Sequence, residues 1–344
     1  MSKKPPYRVP SMSDVASVAP NGLRVVSTFS GCGGNCLGFR MAGYQIVWAN
    51  EFIPQAAATY RANNPDTILD TRDIRTIAPA DILAATGLGV GEIDVLDGSP
   101  PCSSFSMAGK REKLWSRAKA YSDSTQRTDD LFFEFIRILK GLQPRAFVAE
   151  NVSGLVRGTA KGYFLLILAA LKDAGYRVRC QIVDASWLGV PQTRKRVIFI
   201  GIRNDLNREP VFPKPRPYQY TLADVLPVAG IIEPESNMER FAVGKEWHRL
   251  LPGRKSNKYF QLVRPALTAP CPTITATASN TGAASVCYPT ECRKFSVAET
   301  KALCSFPADF ILTGNYAQQI ERLGRAVPPL MMAHIAEAVK AVLK

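Results

Sequence analysis

The chain has 344 residues, 46% hydrophobic and 21% charged, which is long enough for one large domain or two and too apolar for a disordered polymer. A formal net charge of +14 and a pI near 9.5 point to a polyanionic partner, although a merely basic soluble protein has the same balance. Eight cysteines without a CxxC pair, and only His248 and His334 as histidines, provide no clustered ligand set, so no metal is expected. The N-terminus lacks an apolar signal region and no apolar run is long enough for a bilayer, so the expected setting is cytoplasmic, with reduced thiols and no membrane partner.

Residues 1–22, polar and proline-rich, read as a flexible arm. "LRVVSTF" is then a short apolar strand running into "SGCGGNCLGF", a glycine-rich turn that opens a helix ending near Gly43. "QIVWANE" is a second strand closing on Glu51, and "PQAAATYRANN" a helix with proline at its start. "IDVLDGSP", "AFVAENV" and "RVIFIGI" are further strands, separated by the helical periods of "DLFFEFIRILKGL" and "YFLLILAALKDAG". This alternation predicts an α/β domain over residues 23–203 with a parallel sheet and helices on both faces. Residues 204–310 are proline-rich and irregular up to about 292 and read as a second, smaller domain; helices return from about 293, and residues 311–344 are expected to complete the first domain.

The chemistry gathers at the predicted strand ends, where open α/β sheets bind ligands. The "FSGCGG" turn with Glu51 suits a nucleotide: glycines let the backbone approach closely, and the acid can accept from both ribose hydroxyls. Such a turn also occurs as plain structure, because the spacing is not a strict GxGxxG. Asp73 in "DTRDIR" can accept from an adenine amino group or stand as a solvated loop acid. Cys102 in "DGSPPCSSFS" sits where a buried strand ends, as a nucleophile, a metal ligand or a small buried hydrophobe. Glu150 in "AENV" falls beside it if the strands are adjacent, as a proton donor or an ordinary capping acid. In "QTRKR", strand alternation puts Arg194 and Arg196 on one face, at a basic strand end that can serve an anion or simply face water.

In this order, "FSGCGG", the Glu51 strand end, "DGSPPCSSFS", "ENV", "QTRKR", "RKFSVAETKALCSFP" and "GRAVPP" closely resemble the DNA cytosine C5-methyltransferases over most of the chain. The resemblance implies a Rossmann-like, S-adenosylmethionine-dependent catalytic domain with a small target-recognition domain, acting on duplex DNA as a monomer in a bacterial or phage-infected cell. It implies that the Cys102 thiolate adds to C6 of a flipped-out cytosine, that Glu150 serves N3, and that Arg194 and Arg196 hold the base. It places cofactor contacts at Phe29, Gly31, Gly33, Glu51, Phe52, Asp73, Ile74, Pro100, Leu131, Arg325 and Val327, and DNA or base contacts at Ser103, Ser104, Asn151 and Gln192. The long basic stretch after Cys102 resembles the family's closing loop, and "EWHRLLPGRKSNKYFQLVR" mixes basic and aromatic residues suited to phosphate and base-edge contact.

Two alternatives share this chemistry. One is an RNA enzyme, because a branch of the family acts on tRNA and the reader here is short. The other rests on "GRAVPP", where Arg325 replaces the family's usual asparagine near the methionine end of the cofactor. An arginine there can turn to solvent, pair with the cofactor's own carboxylate, or anchor the extra carboxylate of carboxy-S-adenosylmethionine and transfer a carboxymethyl group. A catalytically dead DNA-binding regulator and a generic Rossmann oxidoreductase leave Cys102, Glu150 and the arginine motif unexplained.

Overall fold

The computed structural model describes residues 4–101, 119–121, 124–126 and 130–344. The chain divides into two compact units. One comprises residues 18–183, 195–214 and 333–344; the other comprises 1–17, 184–194 and 215–332. After a one-turn helix, α1 (Met12–Ala16), the sheet of the first unit begins with β1 (Arg24–Thr28) and α2 (Gly34–Met41). It continues through β2 (Gln45–Asn50), α3 (Pro54–Asn63), β3 (Ile68–Asp70), α4 (Pro79–Thr86) and β4 (Val95–Gly98). Beyond a short antiparallel pair, β5 (Lys119–Tyr121) and β6 (Ser124–Gln126), come α5 (Leu131–Leu142), β7 (Ala146–Val152), α6 (Lys161–Asp173) and β8 (Tyr176–Asp184). A two-residue strand, β9 (Gln192–Thr193), precedes β10 (Lys195–Arg203).

Seven strands form the central sheet in the order β3-β2-β1-β4-β7-β10-β8, a Rossmann-like α/β architecture. β3, β2, β1, β4 and β7 run parallel. The expected all-parallel sheet needs one correction, because β10 pairs antiparallel to β7. Residues 185–194 carry a 3-10 turn and β9 instead of a crossover helix, so the chain re-enters the sheet reversed. The strand order switches at the β1–β4 boundary, the position at whose carboxyl ends open α/β sheets bind ligands.

The core explains the periodicities. In α5, Leu131, Phe135, Ile138, Leu139 and Leu142 are buried at helical spacing, each worth about 1.5–3 kcal/mol relative to exposure. They pack with Val26, Leu96, Phe147 and Phe199 from four strands. Gly98 ends β4 without a side chain because a Cβ there would lie 2.6 Å from Thr28 Oγ1 and 2.7 Å from the Phe135 ring.

The second unit holds α7 (Ala242–Arg249), α8 (Val297–Leu303), α9 (Tyr316–Arg325) and the start of α10 (Pro329–Leu343). Short antiparallel strands, β11 (Arg254–Lys255) and β12 (Val263–Arg264), frame a hairpin-like excursion over residues 256–262. Met238, Val243, Trp247, Leu262 and Cys287 make a small core beneath them. A buried bidentate pair, Arg293 to Glu299 at 2.8 Å on both arms, holds the entry to α8, and Ser296 caps that helix. The segment read as an arm is attached here: Tyr7 donates to Ala302 O at 2.6 Å, and Met12 N donates to the Asp309 carboxylate at 3.0 Å. Residues Tyr316–Leu343 reach bilayer length and hydropathy, a correction to the reading that no run does, yet 56% of that apolar window is buried within the protein.

Candidate active site

The glycine turn follows β1. Phe29 and Gly31 have φ of 53° and 57°, and Gly33 has φ of 94° at the N-cap of α2. These are left-handed conformations that favour glycine, and an added Cβ at Gly31 would meet nothing within 4 Å, leaving open space above the turn. Glu51, buried at the end of β2, accepts from Gly31 N and Ile53 N, both at 2.7 Å. The carboxylate therefore ties the turn to β2. Next to it Phe52 is 41% exposed, a flat apolar surface at a strand end. Asp73 is a cap: it accepts from Arg75 N at 3.0 Å and pairs with the Arg75 guanidinium at 3.1 Å. Ile74 and Leu131 belong to the core cluster, Phe29 packs against it, and Pro100 is buried. The turn, the acid and the ring together fit an adenosine group, with Asp73 and Ile74 on the neighbouring strand end.

Cys102, Ser103 and Ser104 lie outside the described residues. The chain leading to Cys102 is described through Pro101. β4 pairs with β7 in the register Gly98 to Ala149, so Ser99 and Glu150 are next along the same two strands. Adjacency of the two strands, on which the reading of Glu150 depended, is present. Glu150 is buried and its Oε1 lies 2.8 Å from Arg196 Nε. Asn151 uses its amide on backbone: Nδ2 donates to Pro100 O at 3.2 Å, and Oδ1 accepts from Val152 N at 2.8 Å. It fixes the Pro-Pro segment against β7.

The two arginines of "QTRKR" do not share a strand face. The strand breaks at Arg194, between β9 and β10, so period-two alternation does not carry across. Arg194 is 2% exposed and belongs to the second unit. Its guanidinium donates to Gly324 O at 3.0 Å, Arg325 O at 3.2 Å and Ile274 O at 3.3 Å, gathering carbonyls at the C-terminal end of α9. Gln192 is fully buried in the same unit, its Nε2 3.4 Å from Leu303 O. Arg325 Nε donates to Glu321 Oε1 at 2.8 Å, an i,i+4 pair along α9, and Val327 is buried.

The sequence reading passed over a buried polar network beneath the turn. Asp97, fully buried on β4, accepts from Ser27 Oγ at 2.9 Å and from Asn35 Nδ2 at 3.0 and 3.1 Å. Asn35 Nδ2 also reaches Ser99 Oγ at 3.0 Å, and Ser30 Oγ reaches Ser27 Oγ at 3.0 Å. Burial pushes the Asp97 carboxyl up to about 7, against the lowering effect of Ser27 and Asn35. The available signal was an acid, Asp97, two apolar residues after Asp94 in the run "DVLDG".

This sheet, with a glycine turn after β1 and an acid after β2, defines a Rossmann-like methyltransferase fold. Residues 23–341 match the family model for C-5 cytosine-specific DNA methylases. The Type II methyltransferase M1.HphI of Haemophilus parahaemolyticus is 33% identical over 336 residues, covering 92% of this chain and 86% of that protein. M.Sau96I of Staphylococcus aureus, also a Type II methyltransferase, is 31% identical over 361 residues, 97% of this chain and 79% of its own. Among solved structures, Spodoptera frugiperda DNMT2 superposes with a TM-score of 0.69 at 17% identity, covering 92% of this chain and 99% of that one, which bears on fold alone. The chain belongs to the C-5 cytosine-specific DNA methylase family and is a DNA cytosine-5 methyltransferase.

Proposed function

We propose that the enzyme methylates cytosine in duplex DNA through a covalent adduct on a flipped-out base, with Cys102, Glu150 and Arg196 at the reacting ring. The observation that carries this reading is the Glu150–Arg196 pair at 2.8 Å, on the strand beside the one that leads into Pro-Pro-Cys. The Cys102 thiolate adds to C6, and a proton taken up from solvent by the Glu150 carboxylate passes to N3, so the ring holds the added electron pair as an enamine. Arg196 orients the Glu150 carboxyl and balances charge as it develops at the ring. S-adenosylmethionine, when bound, supplies the electrophilic methyl that C5 takes up. Loss of the C5 proton and expulsion of the Cys102 thiolate then restore the aromatic ring.

Glu51 would hold the ribose hydroxyls, the turn at Gly31 and Gly33 the backbone approach, and Phe52 the adenine face. Asp73 already spends its carboxylate on Arg75, so only its remaining lone pairs serve an amino group. Asn151 acts through Pro100, by shaping the segment that carries the nucleophile. Arg194 holds the C-terminal end of α9, and the Glu321 pairing of Arg325 favours methyl over carboxymethyl as the transferred group. Residues 254–264, with Lys255 over the ring of the exposed Phe260 at 3.8 Å, suit phosphate and base-edge contact, so this segment is the reader.

Cys102→Ser tests the covalent step. A hydroxyl is a far weaker nucleophile at neutral pH, so turnover should vanish while DNA binding persists. Turnover near the wild-type rate would remove the mechanism.

A further inference from the structure

Asp97 is a fully buried carboxyl whose hydrogen-bond partners among the described residues are neutral donors. A carboxylate buried without a cation is costly, and an apolar residue would fill the end of β4 without that cost. Its partners are not scattered. Ser27 stands directly opposite it in the β1–β4 register and hands on to Ser30 in the glycine turn. Asn35, in the first turn of α2, grips both Asp97 oxygens with one amide nitrogen and Ser99 with the same group. Among the described residues the Asn35 Oδ1 is buried with no hydrogen-bond partner, and the amide is held there through its donors.

These bonds form one chain, Ser30–Ser27–Asp97–Asn35–Ser99. One end lies in the turn assigned to the cofactor and the other lies three residues before Cys102. We propose that Asp97 is a positioning residue that couples the cofactor turn to the strand end carrying the nucleophile, so that ordering of the turn aligns Cys102 for attack. The inference rests on the proposed assignment of the turn to the cofactor and of Cys102 to the base. Asp97 acts through Ser27 and Asn35. A shift of the turn carries the start of α2 with it, because α2 begins at Gly34, and moves the amide that holds Ser99.

The anion is the form that accepts from both donors. Around it stand Ser27 on β1, the Cys36 thiol on α2, pushed up to about 11 by burial and the Asp97 charge and therefore neutral, and Glu150 on β7, paired with Arg196. With the Asp97 carboxyl near 7, protonation on the acid side removes the charge from the coupling bonds.

The test uses the full-length enzyme and a DNA duplex carrying its mapped target. Three variants, Ser30→Ala, Ser99→Ala and Asp97→Asn, are compared for S-adenosylmethionine affinity by calorimetry. Single-turnover methyl transfer at saturating cofactor is followed from pH 5.5 to 9. Ser30→Ala and Ser99→Ala each cut one end of the hydrogen-bonded chain, so each should both weaken cofactor affinity and slow the saturated rate, by less than Asp97→Asn does. Asp97→Asn should lose about 10- to 100-fold in both, the scale of a charge-assisted hydrogen bond, and should lack the wild-type fall in rate below about pH 7. An Asp97→Asn enzyme that keeps the wild-type pH profile overturns the inference. Should that variant not fold, a Ser30→Ala that alters affinity alone together with a Ser99→Ala that alters the rate alone overturns it equally. A wild type that binds cofactor and methylates no DNA removes the parent reading instead, and this inference falls with it.

Discussion

Arg196→Met removes the guanidinium and leaves the Glu150 carboxylate without its cation. The two groups are 2.8 Å apart, with side chains 15% and 11% exposed. At an effective dielectric of about 20 their attraction is about 6 kcal/mol, most of it offset by the cost of taking both charges out of water. Deleting one partner of such a pair costs about 3–5 kcal/mol, and the residual exposure favours the lower end. For a domain of this size, about 3 kcal/mol lowers Tm by about 6–12 °C. Catalysis should fall further, by about 10²–10⁴ in single-turnover rate, because the positioned acid loses its orientation. Glu150→Gln should cost as much activity with cofactor affinity intact. The double variant, Arg196→Met with Glu150→Gln, leaves no stranded charge, so it should recover much of the stability and none of the activity. Thermal unfolding and single-turnover labelling on the four proteins measure this. Strictly additive stability losses, or activity returning in the double variant, would refute the pairing as the heart of the site.

Gly33→Ala forces an alanine to φ of 94° and its Cβ to 3.2 Å from Tyr60 and Asn64, a cost of about 1–2 kcal/mol at the start of α2. Cofactor affinity by calorimetry should drop about 10-fold, with a smaller effect on DNA binding. Asp97 sets a pH dependence of stability: its folded carboxyl lies near 7 against 3.8 when free, so the folded state holds the proton more tightly. That contribution is fully present below about pH 4 and is lost as pH rises through 7, on the order of 4 kcal/mol. Denaturant melts should show this slope in wild type and lose it in Asp97→Asn. With a net charge of +14, affinity for non-target duplex should fall steeply with salt, and a flat salt dependence would argue against phosphate contacts as its source.

The strands and helices around the site were legible because their patterns are strong. The β-branched runs of β1, β7 and β10, and the helical stripe of "LFFEFIRILKGL", each admit one reading. The reversal of β10 was not legible, because it depends on what connects β8 to β10 rather than on the strand itself. The site divides in the same way. Glu51 and Glu150 stand at strand ends that the apolar pattern marks, and the structure brings Glu150 to the strand beside β4. Arg194 and Arg196 looked equivalent only while the strand was taken as unbroken. Asp97 carries no periodic signal; its meaning comes from Asn35 and Ser27, residues distant in sequence that the β1–β4 pairing and the start of α2 bring to it.

The proposed reaction is transfer of a methyl group to C5 of cytosine in duplex DNA. The most direct measurement incubates the wild type with S-adenosylmethionine and carboxy-S-adenosylmethionine together, in parallel with duplex DNA, single-stranded DNA and tRNA. The product nucleosides are then weighed by mass spectrometry. The expected product is 5-methyl-2′-deoxycytidine from the duplex, in wild type and in Arg325→Asn alike, and none with Cys102→Ser. A carboxymethylated cytosine that disappears with Arg325→Asn would contradict the assigned group, and label confined to tRNA would contradict the assigned substrate.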